Sequence, residues 1–448
     1  MYQRNVFYTC LIIALFSIPL AIDFISKYQR ENSNKSQPEN RSIEFWQYWA
    51  GEEKAALVNL VEKFNREKHG FTVKVQSISL PRKKIMMAVA ANLAPDLVLL
   101  DGDMVSDFAL RKALIPFNRI ISQNESLRKQ YQKTSADLMP SYLNMLAIPL
   151  KEERVKDNSL STEPQQVALP LMPTVEALHI NKTLLKKYNL GSPESLEDLI
   201  TISKKISKES NFSEFGYLAT WPVWSGRFIV TAFNGNWHKA NSEENIAAWN
   251  WVLENFIKDA PPDKLQGFIE GNISYQSPDN PFYSGKLALE TSGVWEYGFT
   301  KKFAPQYEIE IKKFPKMKSL SGSATEIAVD ALSIPRSAKH PEEALYFILW
   351  LLKKENLSYL ALAQKKFPPI RLSPEEKADF INKHPNPYIK TFMDLAEESK
   401  DAYFPHFSFS KEYKREIKKA YDKVLRREMS PREALNELER KKEQMERH

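Results

Sequence analysis

Cysteine is all but missing from this chain: Cys10 is the only one in 448 residues. A disulfide framework is therefore excluded, and so is a cysteine-based metal site. The seven histidines show neither metal-ligand spacing nor a nucleophile–base arrangement, so no metal or cofactor is expected. Charge of one sign is never gathered into a block. The 63 basic and 56 acidic residues are interspersed and leave a net +7, which does not indicate a nucleic-acid partner. The most basic window, Lys411 to Glu428, carries Tyr413, Ile417, Tyr421 and Leu425 at four-residue spacing, as an amphipathic helix with a solvated basic face requires.

One stretch, Val6 to Ile22, is almost wholly apolar and follows Arg4. It suits a signal sequence or a marginal membrane span, and either means export to the periplasm or the outer face of the cytoplasmic membrane. A cut after Ala21 would put Pro19 where a small residue is preferred, which favours an uncleaved anchor. Cys10 lacks the small residues of a lipidation box. Glu31 to Arg41 is polar enough to be a flexible tether, so residues 1–40 read as signal or anchor plus tether.

The body alternates in period. Ile43 to Trp46 reads as a strand, and the helix after it places Leu57, Leu60, Val61 and Phe64 on one face. Phe71, Val73 and Val75 alternate as a second strand. A helix through Ile85 to Asn92 then leads, past Pro95 and Asp96, into the apolar strand LVLL. Strand, helix, strand, helix, strand predicts an α/β fold with a parallel sheet, in which ligands meet the carboxyl ends of the strands. Asp101 and Asp103 sit at one such end. The segment Phe282 to Gly298, FYSGKLALETSGVWEYG, joins an apolar strand at Leu287 to Leu289 to a polar break at Thr291 to Gly293, and leaves Trp295 beside it. The stretch from Ser122 to Gln166 is long and polar and reads as a loop or lid.

That Phe282 to Gly298 segment resembles the "F..GkaAM...G.W" motif of family 1 extracellular solute-binding proteins, the carbohydrate-capturing subunits of ABC importers. The family's "W..W.G.......l...FN...g..V" is matched at Trp46 to Val73, and "A...APD......D" at Ala88 to Asp101. VALPLMPTVEALHINKTLLKKYNLGSPESLEDL, TWPVW, GSATEIAVDALSIPRSAKHPEEALYFILWLL and SPREALNELERKKEQ continue the match in the same order, from about residue 43 to 443. His179 and Ile180 stand where the family carries an aromatic before asparagine. Only 13 glycines occur, so several turns that hold glycine in relatives are built differently here.

The resemblance implies a periplasmic-binding-protein-like fold: two α/β lobes joined by a multi-strand hinge, with ligand in the cleft. Carried over, lobe 1 takes residues 41–172 and 309–352, and lobe 2 takes 173–308 and the C-terminal helices of 353–448. It also implies a monomer that binds a carbohydrate and passes it to ABC permease subunits, tethered to the membrane through its N-terminal segment.

A sugar presents an apolar C–H face and a rim of hydroxyls, so its receptor needs flat aromatics and polar partners. Trp295 matches the family position that packs on sugar and is the first stacking candidate, against a core reading. Trp221 and Trp224 match a second aromatic patch. Trp49 lies in the loop after the first strand at the cleft's edge, whereas Trp46, Trp249, Trp251 and Trp350 read as core. Asp101 and Asp103 could accept hydroxyl hydrogen bonds or cap a helix. Glu52 begins a helix, where an acid is favoured in any case. Arg371, in KFPPIR, could face the cleft from the second lobe or lie on the surface, and Phe407 precedes the penultimate helix near ligand in relatives. Two other functions compete with sugar delivery. A sensory or scaffold protein could keep the same fold on an uncleaved anchor, and a polyamine or other solute could replace the sugar. An exported hydrolase would need a carboxylate pair, and no spacing singles one out.

Overall fold

The computed structural model describes residues 41–79, 81–150, 152–153, 160–161, 163–219, 225–270, 277–315, 325–400 and 402–447. The apolar stretch at Val6 to Ile22 and the tether up to residue 40 lie outside them. Among the described residues no helix is long and apolar enough to cross a membrane.

The N-terminal alternation builds β1 (Ser42–Gln47), α1 (Gly51–Arg66), β2 (Thr72–Ser77), α2 (Pro81–Ala90), β3 (Leu97–Asp101) and α3 (Gly102–Leu110). The apolar face of α1 is as its period predicts, with Leu57, Leu60, Val61 and Phe64 all buried. β1 pairs with β2 and β3, parallel in both cases. β4 (Ala168–Asn181) is 14 residues long and joins the two halves of the molecule. Its first part, up to Val175, pairs antiparallel with β8 (Ile327–Ser333). Its second part, from Glu176, pairs antiparallel with β6 (Leu287–Gly293) and β7 (Ile309–Lys312). β5 (Phe215–Tyr217) adds to β6 in parallel, and the full path runs β2-β1-β3-β8-β4-β6-β5, with β7 also on β4. A strand that changes partners midway ties two sheets into one hinged frame, since its own backbone hydrogen bonds are divided between them. The expected α/β architecture is observed.

Three expectations are corrected. Thr291, Ser292 and Gly293 do not break the strand: they are buried and pair with Leu178, Ala177 and Glu176, because ladder hydrogen bonding overrides their weak strand preference. The polar stretch after Ser122 begins as two helices, at Glu125–Asp137 and Pro140–Met145, and this first part buries Leu127, Tyr142, Met145, Leu146 and Ile148. Its polar residues cover one face while sparse apolar ones reach the core. The helix at Lys354–Ala363, α4, was expected with the second lobe. It packs on α1 instead, with Asn59 Nδ2 donating to Tyr359 Oη at 3.2 Å and Lys63 Nζ to Asn356 Oδ1 at 2.9 Å.

The C-terminal helices α5 (Ser410–Leu425) and α6 (Pro431–Glu446) close the second core. Tyr413, Ile417, Tyr421 and Leu425 are buried along one face of α5, and Ser430 and Glu433 form the capping box at the start of α6.

Candidate functional site

The crossing strands carry a buried charge that organises the site. Asp330 lies inside the apolar run of β8, opposite Asp101 in register. Tyr48 Oη donates to its Oδ1, and Trp49 Nε1 donates to its Oδ2 at 3.1 Å. Lys366, itself buried, stands 3.9 Å from Asp330 and 2.7 Å from Glu53. Burial pushes the Asp330 carboxyl up to about 6, with Lys366 acting against it. The Lys366 ammonium also lies 5.5 Å from the centre of the Trp49 ring. Trp49, expected at the cleft's edge, is therefore only 4% exposed and has its N–H committed to Asp330. It holds the wall of the site from behind.

In front of that wall lies a cavity of about 520 Å³. On one side are Ala50, Gly51, Glu52 and Glu53, where Gly51 turns into α1 with φ +53°, a conformation glycine adopts freely. On the other are Trp295, Phe299 and Phe303, along the helix at Glu296–Phe303 that follows β6. Gln364 and Lys365, just past α4, complete the lining, and Lys365 Nζ pairs with Glu52 Oε2. The rings of Phe299 and Phe303 lie nearly parallel, 7° apart with centres 6.3 Å apart. Trp295 folds back over Gly293, where an added Cβ would meet its ring at 2.0 Å. Only glycine leaves room for that placement. The cavity thus offers flat aromatic surface on one wall, where Lys302 also stands, and charged or amide groups on the other, within the size range of small-ligand sites.

A second cavity, of about 490 Å³, opens between α3 and α5. Asp101 and Asp103 line it. Asp101 caps α3 by accepting from the Asp103 N–H at 3.0 Å, and Asp103 Oδ2 pairs with Lys414 Nζ and stands 4.0 Å from Arg227. Arg227 reaches Glu326 at 3.1 Å. Arg82 bridges Asp107 and Glu412, at 2.7 Å to each. Both cations rest on Phe404, with Lys414 4.2 Å and Arg227 5.7 Å from its centre. Burial pulls the Lys414 ammonium down to about 7, with Asp101 opposing, so this basic residue of α5 is not on a solvated face. At the partner change of β4, burial pushes Glu176 up to about 8, against the nearby Arg227.

Of the residues singled out from sequence, the structure brings Trp295 and Glu52 to the first cavity and Asp101 and Asp103 to the second. Trp221 and Trp224 lie outside the described residues. Arg371 is exposed, donates its backbone N–H to the Asp137 carbonyl at 2.8 Å and lines neither cavity. It therefore does not face the cleft. Phe407 is stacked on Phe409 at 4.9 Å and set edge-on to Tyr413 at 5.6 Å, packed against the second core rather than presented to ligand. Sequence reading missed Phe299 and Phe303, although they follow Trp295 at i+4 and i+8, the spacing of one helix face. It also missed Asp330, whose signal was a lone carboxylate within IAVDALS. Nothing local marked Arg227 or Lys365.

Residues 49–357 match the profile of a family described as bacterial extracellular solute-binding protein. The chain is 22% identical over 358 residues to the Multiple sugar-binding protein of Streptococcus mutans, in an alignment covering 76% of each. The structure is similar to that of CpMnBP1 with mannobiose bound, at a TM-score of 0.73 and 20% identity, covering 90% of this chain and 99% of that one. It is likewise similar to an ABC substrate-binding protein of Listeria monocytogenes in complex with cycloalternan, at a TM-score of 0.71 and 18% identity, covering 90% and 98%. At these identities the structural likeness shows the two-lobed fold.

Proposed function

This chain belongs to the family of bacterial extracellular solute-binding proteins, and we propose that it captures a carbohydrate in the first cavity and delivers it to an ABC permease without altering it. The observation that carries the reading is the row Trp295, Phe299 and Phe303, facing Glu52, Gln364 and Lys365 across one cavity. Flat rings match the C–H face of a pyranose, and the opposite wall supplies a carboxylate, an amide and an ammonium for its hydroxyls. Burying ~80 Å² of apolar surface on one ring contributes about 2 kcal/mol, and each charge-assisted hydrogen bond adds roughly 1.5 to 3 kcal/mol. Two rings and a few polar contacts reach micromolar affinity, near −8 kcal/mol, after association costs of several kcal/mol. The second cavity bridges the lobes with ion pairs, and in this reading it supports closure while the first holds the sugar.

Tryptophan fluorescence and thermal shift of the body from Arg41 onward, against mono- and oligosaccharides and polyols, test this. A saturable response to a saccharide is expected, with the sugar recovered intact. Silence across the panel would remove the carbohydrate reading, and turnover of a responding sugar would point to an enzyme. We propose further that residues 1–40 keep the protein at the membrane. The mature N-terminus decides this, since a start near residue 22 to 30 means release by cleavage.

A further inference from the structure

The basic side of α5 borders the second cavity. Lys411, Lys414, Arg415 and Lys418, at i, i+3, i+4 and i+7 along the helix, all line it, together with Arg82 and Arg227. Against these six cations the lining sets three acids, Asp101, Asp103 and Glu412. The acids are already engaged. Asp103 meets Lys414, Glu412 meets Arg82 at 2.7 Å, and Asp101 accepts the Asp103 N–H. Arg227 and Lys418 are matched by acids outside the lining, Glu326 at 3.1 Å and Asp422 at 2.6 Å. Two positive charges are left over. Arg415 has only its chain neighbour Glu416, 3.7 Å away, and that carboxylate is held more closely by Lys419 at 2.7 Å and Lys441 at 3.1 Å. Lys411 forms no ion pair among the described residues. The first cavity carries no such excess, because Glu52 and Glu53 equal Lys302 and Lys365 in number.

We propose that the second cavity receives a carboxylate of the captured saccharide, held by Lys411 and Arg415, so that the ligand is an acidic sugar of the uronate class. This rests on the carbohydrate reading of the first cavity and adds the substrate class to it. The two cavities lie on either side of one strand pair. Asp101, in the second, is the register partner of Asp330, and Asp330 accepts from Trp49, which precedes Ala50 of the first. Register partners in an antiparallel ladder are about 5 Å apart, so one molecule can reach both. An arginine fork and an ammonium one turn apart on α5 offer donors to both oxygens of a carboxylate. Neither has to give up a close pair to do so. The second oxygen of Glu412 is buried and has no donor, which suits a hydroxyl of the same sugar. Uncompensated positive charge at a cleft also draws an anion in from solution, an effect that weakens as salt rises.

The test compares neutral and acidic sugars of the same linkage. Full-length protein is titrated by calorimetry with mannobiose, galactobiose, cellobiose and maltose, and with the corresponding diuronates. The same is done for the double variant Lys411→Gln, Arg415→Gln, whose two side chains are exposed and outside both cores. At least one diuronate binds wild type about tenfold or more tighter than its neutral counterpart, and the double variant loses that preference. Removing two charges elsewhere, by Lys339→Gln with Lys353→Gln, leaves the preference in place. Sulfate at constant ionic strength is the bare-anion probe, and it raises the melting temperature of wild type more than that of the double variant. A neutral sugar bound as tightly as its diuronate overturns the proposal and leaves the carbohydrate reading standing. A diuronate preference that survives in the double variant overturns it as well. Silence from every saccharide, with the sulfate difference present, upholds the anion site and counts against the carbohydrate reading alone. Silence from the saccharides and no sulfate difference end both.

Discussion

The two cavities are of nearly equal volume and both are mainly apolar, but they differ in how aromatic rings and charges are set in them. The first is walled by Trp295, Phe299 and Phe303, at i, i+4 and i+8 from the N-cap of one helix, with Lys302 among them and Glu52, Glu53 and Lys365 on the facing wall. The second is a chain of ion pairs that joins residues far apart in sequence, Arg82 to Glu412 and Asp103 to Lys414. An apolar wall waits for a partner, because its surface gains only when something flat covers it. Paired charges are already satisfied by one another, and any ligand entering among them must first displace a contact. In the proposed reading the ring row suits the first cavity to capture, and the ion pairs of the second hold the lobes together.

Breaking the wall between the cavities has the largest expected effect. Asp330→Ala removes one of the carboxylates facing the buried Lys366 and frees the Tyr48 and Trp49 donors, lowering unfolding free energy by about 3 to 5 kcal/mol in urea denaturation. A loss under 1 kcal/mol would show that the cluster is not an organising element. Trp295→Ala addresses capture alone. It should weaken saccharide affinity by about 30-fold, or about 2 kcal/mol, with little change in closure, as measured by calorimetry. Unchanged affinity would take the stacking role from this ring.

The hinge contributes through pH. Glu176 is held near 8 in the folded state against an ordinary 4.5, so the folded protein keeps a proton that the unfolded chain has released. Its stabilising contribution is complete below pH 4.5 and is lost as pH rises through 8, since there the folded state binds more protons. Glu176→Gln should flatten the fall of melting temperature across that window. An identical slope in the variant would remove Glu176 as its source. Glu412→Gln is the mildest change, loosening one half-exposed pair with Arg82 by about 0.5 kcal/mol. It should shift small-angle scattering toward the open form at low salt, with the shift fading as salt rises. A shift independent of salt would argue against an ion-pair contribution to closure.

Some parts of this molecule were legible in one dimension. The period of Leu57, Leu60, Val61 and Phe64 gave α1, the run LVLL gave β3, and Ser430 with Glu433 gave the cap of the last helix, since each is a relation among near neighbours. Trp295 was legible through its motif, but its setting was not. Its ring depends on the missing Cβ of Gly293, and the strand before it stays a strand only because β4 pairs with it. Trp49 misled for the opposite reason: its loop position suggested exposure, while Asp330, 281 residues away, drew its N–H inward. Phe407 misled likewise, because a stack on Phe409 lies outside what spacing can report, while Arg371 took the surface position that the sequence also allowed.

What the sequence by itself determined is the α/β order and the absence of any cysteine framework, which follow from composition and short patterns, and the family, which follows from the ordered motifs it resembles. The tertiary structure alone decided which groups share a cavity. Glu52 meets Lys365, and Asp103 meets Lys414, across some 300 residues of chain. No local preference encodes such meetings. They follow from one long strand, β4, dividing its hydrogen bonds between two sheets and thereby setting the faces of the two lobes against each other.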